Sequence, residues 1–77
     1  MEGYIGQVIM FAGSRIPNDW MICDGATLDI NHHEALYSII GNIYGGDFSH
    51  NFKLPKIEPI GEVKYIICIN GIYPDFY

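Results

Sequence analysis

The sequence predicts an α+β domain, mostly β, with one short α-helix over about residues 32–40. Three observations carry that prediction. Nine Gly and four Pro cut 77 residues into short pieces, the punctuation of brief strands and turns. The run richest in β-branched and aromatic residues, Val63 to Asn70, lies near the end of the chain. Only the stretch from Asn31 to Gly41 places apolar residues at helical spacing between a start signal and a stop signal.

The elements follow in order. Ile5 to Ala12 reads as a strand whose two faces are both apolar, which predicts burial on both sides. Gly13 to Asp19 is a loop, with turn chemistry at Pro17-Asn18-Asp19. Trp20 to Cys23 is a second strand. Asp24-Gly25 after it is a frequent hairpin pair, from which Ala26 to Leu28 would pair back. Asn31 with Glu34 three residues later has the form of a capping box. The helix that follows buries Ala35, Leu36, Ile39 and Ile40 and ends at Gly41 in the left-handed conformation. Asn42 to His50 is irregular, with a tight corner at Gly45-Gly46-Asp47. Phe52 to Leu54 is a short extended piece stopped by Pro55, and Pro59 and Gly61 mark another turn. The last strand puts Tyr65, Ile67 and Ile69 on one face and Ile66 and Cys68 on the other, so it belongs in the middle of a sheet or at a subunit interface. Asn70-Gly71 turns it. No linker or repeat divides residues 1–77, which read as one domain.

Composition narrows the function. Nine acids against four bases give a formal net charge of -5, and Arg15, Lys53, Lys56 and Lys64 form no stripe. Binding to a nucleic-acid polymer or an anionic membrane runs on clustered cations, so both are excluded as partners. With 49% hydrophobic and 17% charged residues the chain is expected to fold. Below roughly 70–80 residues, however, a core rarely supplies more than about 3–5 kcal/mol without a disulfide, a metal or a partner subunit. Cys23 and Cys68 sit inside apolar runs and read as buried free thiols. Met1-Glu2-Gly3-Tyr4 has neither the basic nor the apolar region of a secretory signal, and no run reaches the roughly 18 apolar residues of a membrane span. The expected site of synthesis is a reducing cytoplasm, and oligomerisation is the expected support for a short core.

Gly6-Gln7-Val8-Ile9-Met10-Phe11-Ala12-Gly13 and then Pro17-Asn18-Asp19-Trp20-Met21-Ile22-Cys23-Asp24-Gly25 form an ordered signature. It continues through Leu28, Ala35 to Gly41, Tyr44-Gly45-Gly46-Asp47 and Phe52-Lys53-Leu54-Pro55, and Lys64 to Pro74 closes it. In these residues the chain resembles the phage tail collar family, which includes collar domains of tail fibres and the microcystin-dependent-like proteins. Longer relatives carry a Gly- and His-rich segment after the Leu-Pro corner. Here only nine residues separate Pro55 from Tyr65. The resemblance implies a non-enzymatic structural or host-attachment protein, an intertwined homo-oligomer with a trimer as the first expectation. It also implies association with virions and with other tail proteins.

The residues themselves offer few chemical sites. Ser14, Ser38 and Ser49 lie in no nucleophile motif, and Asp24 beside Cys23 opposes formation of a thiolate. The spacing of His32, His33 and the cysteines fits no zinc motif, so neither metal nor cofactor is expected. The best ligand-binding candidates are Tyr44, Gly45, Gly46, Asp47 and His50, where glycines let backbone approach a ligand beside an aromatic face. The competing reading is a structural corner with Tyr44 packed on the helix. Trp20 joins the candidates as an aromatic for sugars, against a place in the core. Arg15 joins as a bidentate partner for an anion, against a solvated loop position. The alternative function is therefore a small oligomer that binds a nucleotide-derived signal or a sugar at subunit boundaries.

Overall fold

In the computed structural model, which describes residues 2–75, the chain is mostly β with one short helix. Strand β1 spans Val8–Phe11, β2 Trp20–Ile22 and β3 Thr27–Asp29. A 3-10 turn, Ile30–His32, leads into α1, Glu34–Ile40. Strand β4 is Asn51–Lys53 and β5 is Lys64–Cys68.

The predicted last strand is the centre of the fold. β5 lies between β1 and β2 and runs antiparallel to both, pairing Ile9 with Ile66 on one side and Ile22 with Ile66 on the other. Because side chains alternate across a strand, its two faces feed two apolar clusters. Ile67 packs with Ile5, Cys23, Leu28, Leu36, Ile40, Phe52 and Leu54. Ile66 and Cys68 pack with Trp20 on the other face, where Ile9, Phe11 and Ile16 complete the cover. Fully burying a side chain such as Ile66, Ile67 or Phe52 contributes about 1.5–3 kcal/mol each.

The expectation for the first strand needs correction. β1 is an edge strand, and only one of its faces is covered: Ile9 and Phe11 reach the Trp20 cluster, while Val8 and Met10 stay exposed. Its entry is a glycine bulge. Gly6, at φ +90°, donates its N–H to the Cys68 carbonyl, while the Cys68 N–H reaches the Gln7 carbonyl one residue further on.

β3 does not pair back on β2 as the Asp24-Gly25 turn suggests; it pairs with β4 in a second sheet. The reason lies in the bonds around the turn. Asp24 Oδ1 accepts from the Ala26 N–H, and the Gly25 N–H and the Ala26 carbonyl bond instead to Pro55 and Leu54. Leu28 and Phe52 then face each other and are both buried, while Thr27, Asp29 and Lys53 point out.

The helix also starts later than predicted. The carboxylate of Asp29 accepts from the Asn31 N–H at 2.8 Å, and the Ile30 N–H bonds to the His50 carbonyl. These bonds tighten residues 30–32 into the 3-10 turn, so the Asn31–Glu34 capping box does not form and His33 opens α1 without a side-chain cap. Leu36 and Ile40 are buried and Ile39 partly so, but Ala35 is exposed. Gly41 ends the helix, as expected, with its N–H on the Tyr37 carbonyl, but its backbone, at φ +55° and ψ −144°, is extended and not in the left-handed helical conformation. Gly61 occupies the first central position of the tight turn closed by Ile60 and Val63, which returns the chain to β5.

Candidate functional site

The loop from Asn42 to His50 is braced from beneath. Tyr37, packed on Phe52 with ring centroids 5.3 Å apart, donates its hydroxyl to Asn42 Oδ1 at 2.7 Å. The Asn42 amide nitrogen donates in turn to the carbonyls of Gly45 and Asn51, both at 3.3 Å. Gly46 sits against this clamp. A Cβ there would lie 2.6 Å from the Asn51 oxygen and 2.7 Å from the Phe52 Cα, and its φ is +125°. Only glycine combines that backbone angle with so close an approach.

Asp47 fixes the second half of the loop. Its Oδ1 accepts backbone N–H bonds from Ser49, His50 and Asn51 at 2.9, 2.7 and 3.1 Å, and its own N–H donates to Asn51 Oδ1. Those three donors, that of His50 first, hold the carboxyl well below the usual carboxylate range. His50 Nδ1 stands 3.5 Å from Asp47 Oδ2, and both side chains face solvent.

This bracing displays apolar side chains. Phe48 is 73% exposed and Ile43 76% exposed. Phe48 holds φ at +67°, an unusual value for a bulky residue and one of the places where backbone strain is stored. Tyr44 is half exposed; the aromatic ring packed on α1 is Phe52, against the helix's own Tyr37. Neither Ile43 nor Phe48 stands out in the sequence by periodicity. The available signal is an apolar residue set among Gly, Asp and Ser, where a solvated loop would carry a polar one.

The seven predicted ligand residues do not converge. Tyr44, Gly45, Gly46, Asp47 and His50 share the loop, with Gly45 and Gly46 half-buried and the others exposed. Trp20 is 5% exposed and belongs to the core cluster on β5. Arg15 is exposed in the loop between β1 and β2 and, among the described residues, makes no ion pair. Two cavities lie elsewhere, and none of the seven residues lines either. One of about 260 Å³ is bordered by Asp19, His32, His33, Glu34, Ile69 and Asn70. The other, of about 250 Å³, is walled by Ile22, Ile57, Pro59 and Tyr65, with Lys56 and Lys64 at its border. Lys64 donates to the Gly13 carbonyl at 2.7 Å.

The thiols are free and buried. Burial, reinforced by the charge of Asp24, pushes the Cys23 thiol up to about 11, and burial raises Cys68 as well. The Ser38 hydroxyl is taken up by the Ala35 carbonyl and the Tyr73 hydroxyl, both at 2.6 Å.

Fold and loop together define a small β-rich structural module that displays apolar side chains on a braced loop. The chain belongs to the phage tail collar domain family, whose model matches residues 6–58. That is a structural family of phage tails, and the match runs from the Gly6 bulge past β4 but stops before β5. None of the curated proteins compared with the chain matches it. No helix among the described residues is long and apolar enough to cross a membrane.

Proposed function

We propose that the chain is a single-domain structural component of a phage tail that works as a homo-oligomer, with other tail proteins as its further partners. The observation that carries this reading is the set of large apolar side chains left at the surface of a collar domain. Val8 and Met10 on the β1 edge and Ile43, Tyr44 and Phe48 on the braced loop are prominent among them. Large apolar side chains held at the surface on a sheet edge and on a rigid loop are what contact with another protein would cover. Covering it gains roughly 25 cal/mol per Å², and a stable interface removes about 1,200–2,000 Å² from water.

Three copies is the stoichiometry the family resemblance implies. The short return from Pro55 to β5, with its tight turn at Ile60–Val63, supports an architectural role over host attachment. Size-exclusion chromatography with light scattering at low micromolar concentration tests the proposal. The expected result is a sharp mass at a multiple of the single chain, three being the first expectation. A sharp monomer mass overturns it.

A further inference from the structure

Phe48 and the apolar cavity beside β2 match in size and polarity, and they lie on one chain. We infer that Phe48 of one copy seats in the cavity walled by Ile22, Ile57, Pro59 and Tyr65 of the next copy, with Asp47 brought beside Lys56. This contact rests on the self-association proposed above and names its two surfaces.

Size is the first argument. The cavity holds about 250 Å³. A dry cavity of roughly 150 Å³ is enough to take up benzene, so a phenyl ring on its Cβ fits with room for the loop to enter. Phe48 does not fill the cavity of its own chain, since it is 73% exposed.

Preorganisation is the second. The Asn42 clamp and the three N–H bonds to Asp47 hold the loop in one shape before any partner arrives. Association then loses little conformational entropy there. The left-handed backbone at Phe48 is maintained although its ring gains little cover within its own chain.

Charge is the third. The chain has only four cationic side chains against nine acids, yet two of the four, Lys56 and Lys64, border this one cavity. Lys64 is engaged by the Gly13 carbonyl, which leaves Lys56 for an incoming carboxylate. Asp24 and Glu58 also border the cavity. The border is therefore mixed in charge, and the attraction is local, between an incoming carboxylate and the Lys56 ammonium. The neighbour of Phe48 in the chain is Asp47, whose carboxyl stays ionised throughout the ordinary pH range.

A knob on one face and a hole on another make a head-to-tail contact, which closes into a ring when the rotation between copies allows it. The test uses the full chain in three forms: unaltered, Phe48→Asn and Ile22→Lys. Asn tolerates the left-handed backbone, so Phe48→Asn removes the ring and keeps the loop. Ile22→Lys places a charge in the cavity mouth at a position already 39% exposed.

Each variant is expected to weaken association at least tenfold by light scattering across a dilution series. Because each retains the half that the other has lost, an equimolar mixture is expected to regain a two-chain species that neither forms alone. Unchanged masses in both variants overturn the inference while the self-association reading stands. Loss of assembly without recovery on mixing also overturns it. A monomeric unaltered chain overturns both together. If Ile22→Lys loses its native circular dichroism, the exposed Lys56→Glu takes its place, with weakened association expected and unchanged association counting against the contact.

Discussion

Replacing Gly46 by Ala, with Gly41→Ala as its control, separates two costs that a positive φ usually merges. At Gly41 the backbone angle is +55° and an added Cβ meets nothing within 4 Å. With ψ at −144° this is an extended positive-φ backbone that essentially only glycine adopts, so the cost there is conformational alone, of order 1–3 kcal/mol. At Gly46 the angle is +125°, and the Cβ would lie 2.6 Å from the Asn51 oxygen, 2.7 Å from the Phe52 Cα and 2.8 Å from the Asn42 amide nitrogen. A backbone angle that only glycine adopts costs of order 1–3 kcal/mol. Overpacking against neighbours that cannot give way adds about 1–3 kcal/mol more. Two of the three neighbours are backbone, fixed by β4, so relaxation is limited. The expected penalty is therefore roughly 2–6 kcal/mol at Gly46 against roughly 1–3 at Gly41, the difference being the steric part. Urea unfolding followed by circular dichroism reads both, at one fixed chain concentration because association shifts the midpoint. In thermal melts each kcal/mol corresponds to about 4–8 °C for a domain of this size. Against a short core's roughly 3–5 kcal/mol, Gly41→Ala should keep a larger folded fraction at 25 °C than Gly46→Ala, which should be largely unfolded. Equal midpoints for the two variants would refute the steric reasoning.

Two further outcomes follow from the core. Ile67→Asp buries a carboxylate at a position 1% exposed, among side chains that offer it no partner, and the several kcal/mol this costs exceed the roughly 3–5 available; the expected product is unfolded and unassembled, and a soluble protein with native circular dichroism and native mass would contradict the assignment of β5 as the centre. Cys23 should resist thiol reagents at pH 8 in the folded chain and react at once in denaturant. Its folded value lies near 11 against an ordinary 9.0, so between those values the unfolded chain releases a proton that the folded chain keeps. Stability contributed by the buried thiol is thus complete below pH 9 and declines as pH rises from 9 to 11, which pH-resolved urea titrations of the native chain and Cys23→Ala would show as a steeper alkaline loss in the native chain.

How much of this was legible depended on whether a signal was local. β5, β2 and the body of α1 announce themselves through composition and spacing, and the end at Gly41 through a single residue. Pairing is not local. Three-residue strands such as β3 and β4 carry too little periodicity to name a partner, and the register that sets Leu28 against Phe52 is decided by bonds from Pro55 and Leu54 back to residues 25 and 26. The apolar pattern of the first strand misleads for a related reason. Sequence records that Val8 and Met10 are apolar but not that they belong to neither buried cluster and stay exposed. At the candidate site, the Gly45-Gly46-Asp47 corner was visible, whereas its display of Phe48 depended on hydrogen bonds that converge on one aspartate oxygen.

The position of β5 in the chain order sets a clock. Both neighbours of the central strand are made early, β1 by residue 11 and β2 by residue 22, yet neither has a partner until Lys64–Cys68 emerges from the ribosome. Such pairing between distant parts of the chain is slow, and it leaves apolar segments waiting. The segment matched by the family model ends at residue 58, so by itself it holds two strands of the sheet without the one that joins them. The tight turn at Ile60–Val63 lies between that segment and its completing strand. Residues inserted there would postpone closure of the sheet without altering its register, so the length of this turn is a natural place for the fold to set the interval between synthesis and assembly.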